Sequence, residues 1–386
     1  MNVWDDVVGQ PDAVALLQRA AAHPEAMTHA WLLTGPPGSG RSVAARAFAA
    51  ALQCTGDPDG GAPGTGCGRC PACTTTLAGT HPDLTVVATE KVVIAIDEVR
   101  DLITAAARTP SVGRYRVIVV EDADRMAERT TNVLLKAIEE PPSHTVWVLC
   151  APSVQDVLPT IRSRCRGVVL RVPPARDVAD LLVRRDAVDA DVALQAARAA
   201  QSHVGLARRL ARDPEARARR AEVLDVARRI RGVPDAVLAA AELVDVAKAE
   251  AAAATVERDA AEKAELLRAL GVGEGDTLPP KLRSQLRQLE DDQKRRATRR
   301  QRDVLDRAMV DLLSLYRDVL VVQLGADVEL VNHEQSGAVE ALARDSTPQQ
   351  TVRRMDAVGL ARERLEGNVA PLLALEAMTV ALRPQG

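Results

Sequence analysis

Aromatic side chains are scarce in this sequence, with three Trp, two Tyr and one Phe among 386 residues. That scarcity excludes an aromatic-rich β sandwich. The interior must come from Ala, Val, Leu and Ile, which suits helices and parallel strands buried on both faces. No apolar run approaches the length of a membrane span. Neither charge sign dominates: 50 basic against 53 acidic residues give a formal net charge of −3. A histone-like binder is thereby excluded, and any contact with nucleic acid needs a local patch. The first ten residues carry acidic side chains and lack the basic and apolar regions of a signal peptide. The expected location is therefore the cytoplasm, where cysteines stay reduced. A chain of 386 residues exceeds one ordinary core and suits two or three domains.

The first half alternates. Short apolar runs at Ala30–Thr34, Leu84–Ala88, Val117–Val120, Val146–Cys150 and Val168–Val172 read as strands. Helical stretches lie between them at Ser42–Gln53, Ile96–Arg108, Ala127–Glu140 and Val157–Arg164. Thr55–Gly66, rich in Gly, Pro and Asp, reads as a surface loop. Such alternation implies βαβ crossovers and a doubly wound α/β domain with a parallel sheet. Pro173-Pro174 marks a boundary, after which the pattern is helical to the end. We expect an α/β domain over 1–173, a small helical domain over 174–232 and an all-α domain over 233–386. Within the last, about 244–307 reads as a charged helical hairpin turning at Gly271–Pro280, with a pair of bundle helices or a disordered linker as alternatives.

Gly35-Pro36-Pro37-Gly38-Ser39-Gly40-Arg41-Ser42 follows a strand and opens a helix, the context of a phosphate-binding loop. Its glycines let backbone N–H groups turn toward phosphate oxygens, and the helix N-terminus adds its dipole. Ser42 is placed for a magnesium ion. The usual lysine is replaced by Arg41, longer and planar, so nucleotide binding survives more readily than efficient hydrolysis. The bland alternative is a Gly-rich turn with no ligand. An acidic pair closes the Val117–Val120 strand as Glu121-Asp122, the reverse of the usual Asp-Glu order. Carboxylates displaced by about 1 Å can cost on the order of a hundredfold in rate.

Cys54, Cys67, Cys70 and Cys73 (the 54–73 module) are spaced C-x12-C-x2-C-x2-C. Four thiolates in a reducing compartment suit structural Zn²⁺, with no position left open for catalysis. Free thiols or a disulfide pair are the alternatives. Cys150 reads as a packed thiol.

Several motifs then resemble one family. Trp4-Asp5-Asp6-Val7-Val8-Gly9-Gln10, Asn132–Pro142, Thr80-His81-Pro82-Asp83, the cysteine module and Ser163-Arg164-Cys165 are similar to those of AAA+ clamp-loader subunits of bacterial DNA polymerase III. The resemblance covers about residues 1–175; the helical remainder agrees in class only. It implies a P-loop AAA+ core, a helical lid (174–232) and a C-terminal helical collar (233–386) joining five subunits. It places this chain with the non-motor subunits, as a stator beside delta and gamma/tau partners, acting indirectly on a sliding clamp and primer–template DNA within the polymerase holoenzyme at the nucleoid. An active gamma/tau-like motor is the alternative. Under this resemblance ATP and Mg²⁺ at Gly35–Ser42, Glu121 and Asp122 are vestigial, and Arg164 is an arginine finger offered in trans, with Arg162 or Arg166 as alternatives. The two sensor positions fall at Ala151-Pro152 and at Gly205, with Arg208 nearby. The basic run Lys281–Arg307, including Arg295, Arg296, Arg299, Arg300 and Arg302, either touches DNA phosphates or is a solvated helix face.

Overall fold

A computed structural model describes residues 2–57, 59–88, 94–253, 255–269 and 280–384. The chain divides into two compact units, Met1–Arg212 and Asp213–Gly386. The expected boundaries at 173 and 232 each fall inside one of these units.

In the first unit, α1 (Pro11–Ala22) precedes β1 (Ala30–Thr34), α2 (Arg41–Gln53), α3 (Pro71–Leu77), β2 (Leu84–Val87), α4 (Ile96–Ala106) and β3 (Arg116–Val120). Then come α5 (Glu128–Glu139), β4 (Thr145–Ala151), α6 (Pro159–Arg162), β5 (Arg166–Val169), α7 (Ala175–Asp186), α8 (Ala190–Ala199) and α9 (Val204–Arg212). The strands form one sheet in the order β2-β3-β4-β1-β5, every pair parallel. The α/β class expected from alternation is the class observed.

Strands β1, β3 and β4 are buried at every residue. That explains their unbroken apolar character, since both faces are covered. Trp31 and Leu33 join the core against α1 and α2, while Ala30 and Leu32 join the core against α4 and α5. Trp31, Trp147 and Phe48, half of the chain's few aromatics, are fully buried here. Trp31 and Phe48 meet edge to face at 5.1 Å. At the sheet edge, β5 runs Arg166–Val169 rather than Val168–Val172. Its residues are mostly exposed, so its sequence carries little apolar signal. Leu170 N–H still donates to Thr34 O at 2.7 Å, and Pro173-Pro174 then ends the ladder for want of N–H groups.

The second unit is helical: α10 (Pro214–Arg229), α11 (Val233–Ala253), α12 (Val256–Ala269), α13 (Pro280–Leu324), α14 (Ser336–Arg344), α15 (Pro348–Glu366) and α16 (Pro371–Leu382). Asp235 starts α11 by accepting from the Arg231 and Gly232 amides at 3.0 and 2.9 Å. The core draws on α10, α11, α13, α15 and α16. A polar lock crosses it. Arg220 donates to Asp311 at 2.8 Å and to Asn332 at 2.5 Å, and Asn332 donates to Asp318 at 2.9 Å.

Among the described residues, the first side chain of α13 in that core is Leu305. Earlier in the 45-residue helix, contacts run to α12 and include several ion pairs. Arg296 donates to Glu262 at 2.9 Å and to Asp259 at 3.0 Å, and Lys263 pairs with Glu290 at 3.1 Å. The basic run is thus partly consumed internally, with Arg302 on Asn368 at 2.8 Å and Arg307 on Glu250 at 3.8 Å. Of the expected turn, residues 271–279 lie outside the described residues. No described helix is long and apolar enough to cross a membrane.

Candidate functional site

The Gly35–Gly40 loop leaves the C-terminal end of β1 and opens α2, where a parallel sheet presents ligands. Gly38 and Gly40 have φ of +87° and +86°, a region that a side chain disfavours. A Cβ on Gly38 would also sit 3.1 Å from His203 Cα, so α9's entry packs on the loop. From the other side Gln10 clasps it. Its amide donates to Ser39 O at 3.1 Å and accepts from Arg171 N–H at 3.0 Å, tying the loop to the chain beyond β5.

Arg41 does not reach outward. Its Nη1 donates to Gly35 O, so the guanidinium folds back onto the loop's own carbonyl. Glu121, at the end of β3, is held as well. Arg46 Nε and Nη2 both reach its Oε1, at 3.0 and 2.8 Å. Asp122 lies 3.6 Å from Arg125. Arg46, one turn after Ser42 on α2, was not singled out from the sequence. The signal available was a basic residue on the α2 turn nearest the acidic strand end.

At the positions expected to be sensors, Ala151 ends β4, and its carbonyl accepts from Gly35 N–H at 3.3 Å. Gly205 lies in the first turn of α9. Arg208 is engaged by Asp186, with Nη2 at 2.7 Å.

Ser163, Arg164 and Cys165 lie between α6 and β5, away from the loop in sequence and on exposed or half-buried surface. Arg164 pairs with Glu139 and donates through Nη1 to Thr160 O at 2.7 Å and Ser163 Oγ at 3.2 Å. Burial pushes the Cys165 thiol up to about 12, so it is a packing group. Arg162 is exposed. Arg166 lies 5.1 Å over the Trp31 ring and donates to Ala26 O at 2.9 Å.

Cys54 follows α2, Cys67 closes the loop, Cys70 caps α3 and Cys73 sits in its first turn. All four are buried, with their sulfurs within 4.8 Å of one another. A tetrahedral zinc site, with Zn–S of about 2.3 Å, needs sulfurs roughly 3.8 Å apart, so the donor set fits a metal ion. The backbone already supports thiolates: Cys70 N–H donates to Cys67 Sγ at 3.3 Å and Cys73 N–H to Cys70 Sγ at 3.4 Å. Burial raises the Cys70 thiol, but hydrogen bonds from Cys73 and Thr55 outweigh it and draw it down to about 6. The N-terminal segment packs on this module, with Trp4 Nε1 donating to Thr65 O at 3.2 Å and Val3 N–H to Gly66 O at 3.0 Å.

The family model described as DNA polymerase III, delta subunit, matches residues 9–174. Over these residues the chain is similar to that family. It is similar to DNA polymerase III subunit delta′ of Pseudomonas aeruginosa, 39% identical over 158 residues, which are 40% of this chain and 47% of that protein. Subunit delta′ of Escherichia coli is 33% identical over 181 residues, 46% of this chain and 53% of that one. Subunit gamma/tau of Mycobacterium tuberculosis is 33% identical over 180 residues, 46% and 30% of the two chains. The chain spans about half the length, or less, of these curated relatives. The delta-family match contains the phosphate loop, the cysteine module, Glu121-Asp122 and Ser163–Cys165, and it ends before the second unit begins.

Proposed function

We propose that this chain is the delta-prime-type subunit of a DNA polymerase III clamp loader, a structural partner that lends an arginine to a neighbouring ATPase. The observation that carries this reading is the state of its own phosphate loop. Arg41 is turned back onto Gly35 O and Glu121 is engaged by Arg46, whereas Arg164, though paired with Glu139, lies at the surface with its side chain 37% exposed. ATP and Mg²⁺ then belong to the neighbour. An arginine supplied across an interface stabilises charge spreading over the transferred phosphoryl group, an effect of about 10³–10⁵ in rate where measured.

The partners in this reading are delta and gamma/tau subunits in a hetero-pentamer, with the sliding clamp and primed DNA as its cargo, in the cytoplasm at the nucleoid. Cys54, Cys67, Cys70 and Cys73 would hold structural Zn²⁺, which fixes the loop between α2 and α3 and supplies no catalytic step.

Steady-state ATPase tests the proposal. The isolated chain should show no DNA-stimulated turnover, and Arg164→Ala should assemble normally while slowing the loader. Robust turnover by the isolated chain would favour the opposing reading, an active motor subunit, to which the intact loop glycines and the gamma/tau similarity lend support.

A further inference from the structure

The contacts of Arg164 carry one step more, resting on its reading as the trans arginine. We propose that Glu139 is a positioning residue for Arg164, holding the guanidinium ready before a neighbouring phosphate arrives.

The pair is set by the core beneath it. Glu139 follows Ile138 at the C-terminal end of α5, and Arg164 comes three residues after Ile161 of α6. Both isoleucines are fully buried in one cluster, so the mutual placement of α5 and α6 is fixed from within. Above them the Glu139 carboxylate takes Nη2 of Arg164, while Thr160 O and Ser163 Oγ take Nη1 at 2.7 and 3.2 Å. Ser163 is held in turn, its hydroxyl donating to Thr160 O at 3.1 Å. A guanidinium has five N–H donors, so this clasp leaves donors over. Side-chain exposures of 37% for Arg164 and 41% for Glu139 leave both open to an incoming anion.

Glu139 is the one charged member of the clasp. An unheld arginine samples many rotamers, and ordering it at the moment of reaction costs rate. A carboxylate on Nη2 restrains it in advance. The same carboxylate partly neutralises the guanidinium, so the opposite role, a latch that competes with phosphate, is the contrary outcome.

The test uses the loader assembled from full-length subunits, with kcat and KM for ATP measured on variants of this chain. Glu139→Ala should lower kcat about threefold to tenfold with KM unchanged, a loss typical of a modest misplacement. Glu139→Gln keeps an acceptor and should recover most of the rate. In an Arg164→Ala background Glu139→Ala should cost nothing further, because its effect runs through Arg164. Equal losses in both backgrounds would mark a merely structural role and overturn the proposal. So would faster turnover in both Glu139 variants, or an unchanged rate in Glu139→Ala while Arg164→Ala is slow. If Arg164→Ala itself turns over normally, the finger reading falls and the positioning role falls with it.

Discussion

Asp83 is fully buried, yet it is built to stay ionised. Its carboxylate accepts from the amides of Ser111, Val112 and Gly113 at 2.7, 2.8 and 2.7 Å, and from Ser111 Oγ at 2.9 Å, with Arg116 3.5 Å away. Burial raises its pKa, but those hydrogen bonds outweigh it and bring the group down to about 2. The folded value lies below the unfolded one of about 3.9, so the stabilisation is present above pH 4 and fades as pH falls toward 2. About 2.5 kcal/mol should disappear between about pH 5 and pH 1, roughly half of it by pH 3. Asp83→Ala should cost about 3 kcal/mol or more at pH 7 by stranding amides and Arg116. Urea denaturation at pH 7 and pH 3 checks both. An Asp83→Ala chain that matches the parent at pH 7 would contradict this account. The sequence marks Thr80–Asp83 as a motif but not its task, because the loop that Asp83 organises lies 28 to 30 residues further on. Glu139 and Arg46 are similar: their partners come from other elements, which no local spacing encodes.

At the scale of elements, the cysteine module and the α12–α13 arm rest on different forces. The module closes around four sulfurs, so metal should be part of its folding. Elemental analysis should find about one zinc per chain under this reading. A strong chelator should shift Trp4 emission, because the Trp4 indole bonds to Thr65 within the module. Unchanged emission on chelation, with Trp4→Phe as control, would count against a metal holding the module. The arm has little apolar burial: α12 contributes no buried side chain among its described residues. Arg296 fills that gap, and its hydrogen bonds come first among the causes that hold the Glu262 carboxyl down to about 2. Arg296→Ala should therefore loosen residues 256–269 while the core helices keep their protection, as hydrogen exchange would show. The buried strands β1, β3 and β4 were legible as apolar runs. Edge strand β5 was displaced from expectation, and α6 was shorter than expected, because exposure removes the pattern on which such reading depends.

At the scale of the whole molecule, the α/β-then-helical order was legible from alternation giving way to Ala, Arg and Leu. The division at Arg212–Asp213 was not, because helices on either side of it share one composition and Pro173-Pro174 is the louder signal. The altered phosphate loop was legible as Arg41 but not as a closed circuit, since the Gly35 carbonyl it meets is invisible to a motif. Under the proposed reading Arg41→Lys should not confer turnover on its own, because Glu121 remains bound to Arg46. Measurable ATPase in that single variant would show the loop to be one residue from activity. The folded-back Arg41 has a thermodynamic corollary. A ligand raises the melting point of a protein by as much as it prefers the folded form. Under the proposed reading a loop whose Arg41 is already engaged gains little from ATP or ADP, so the melting temperature should stay level across millimolar nucleotide. Under the proposed reading such a subunit would be deaf to the cell's energy charge and would keep one shape while its neighbours cycle.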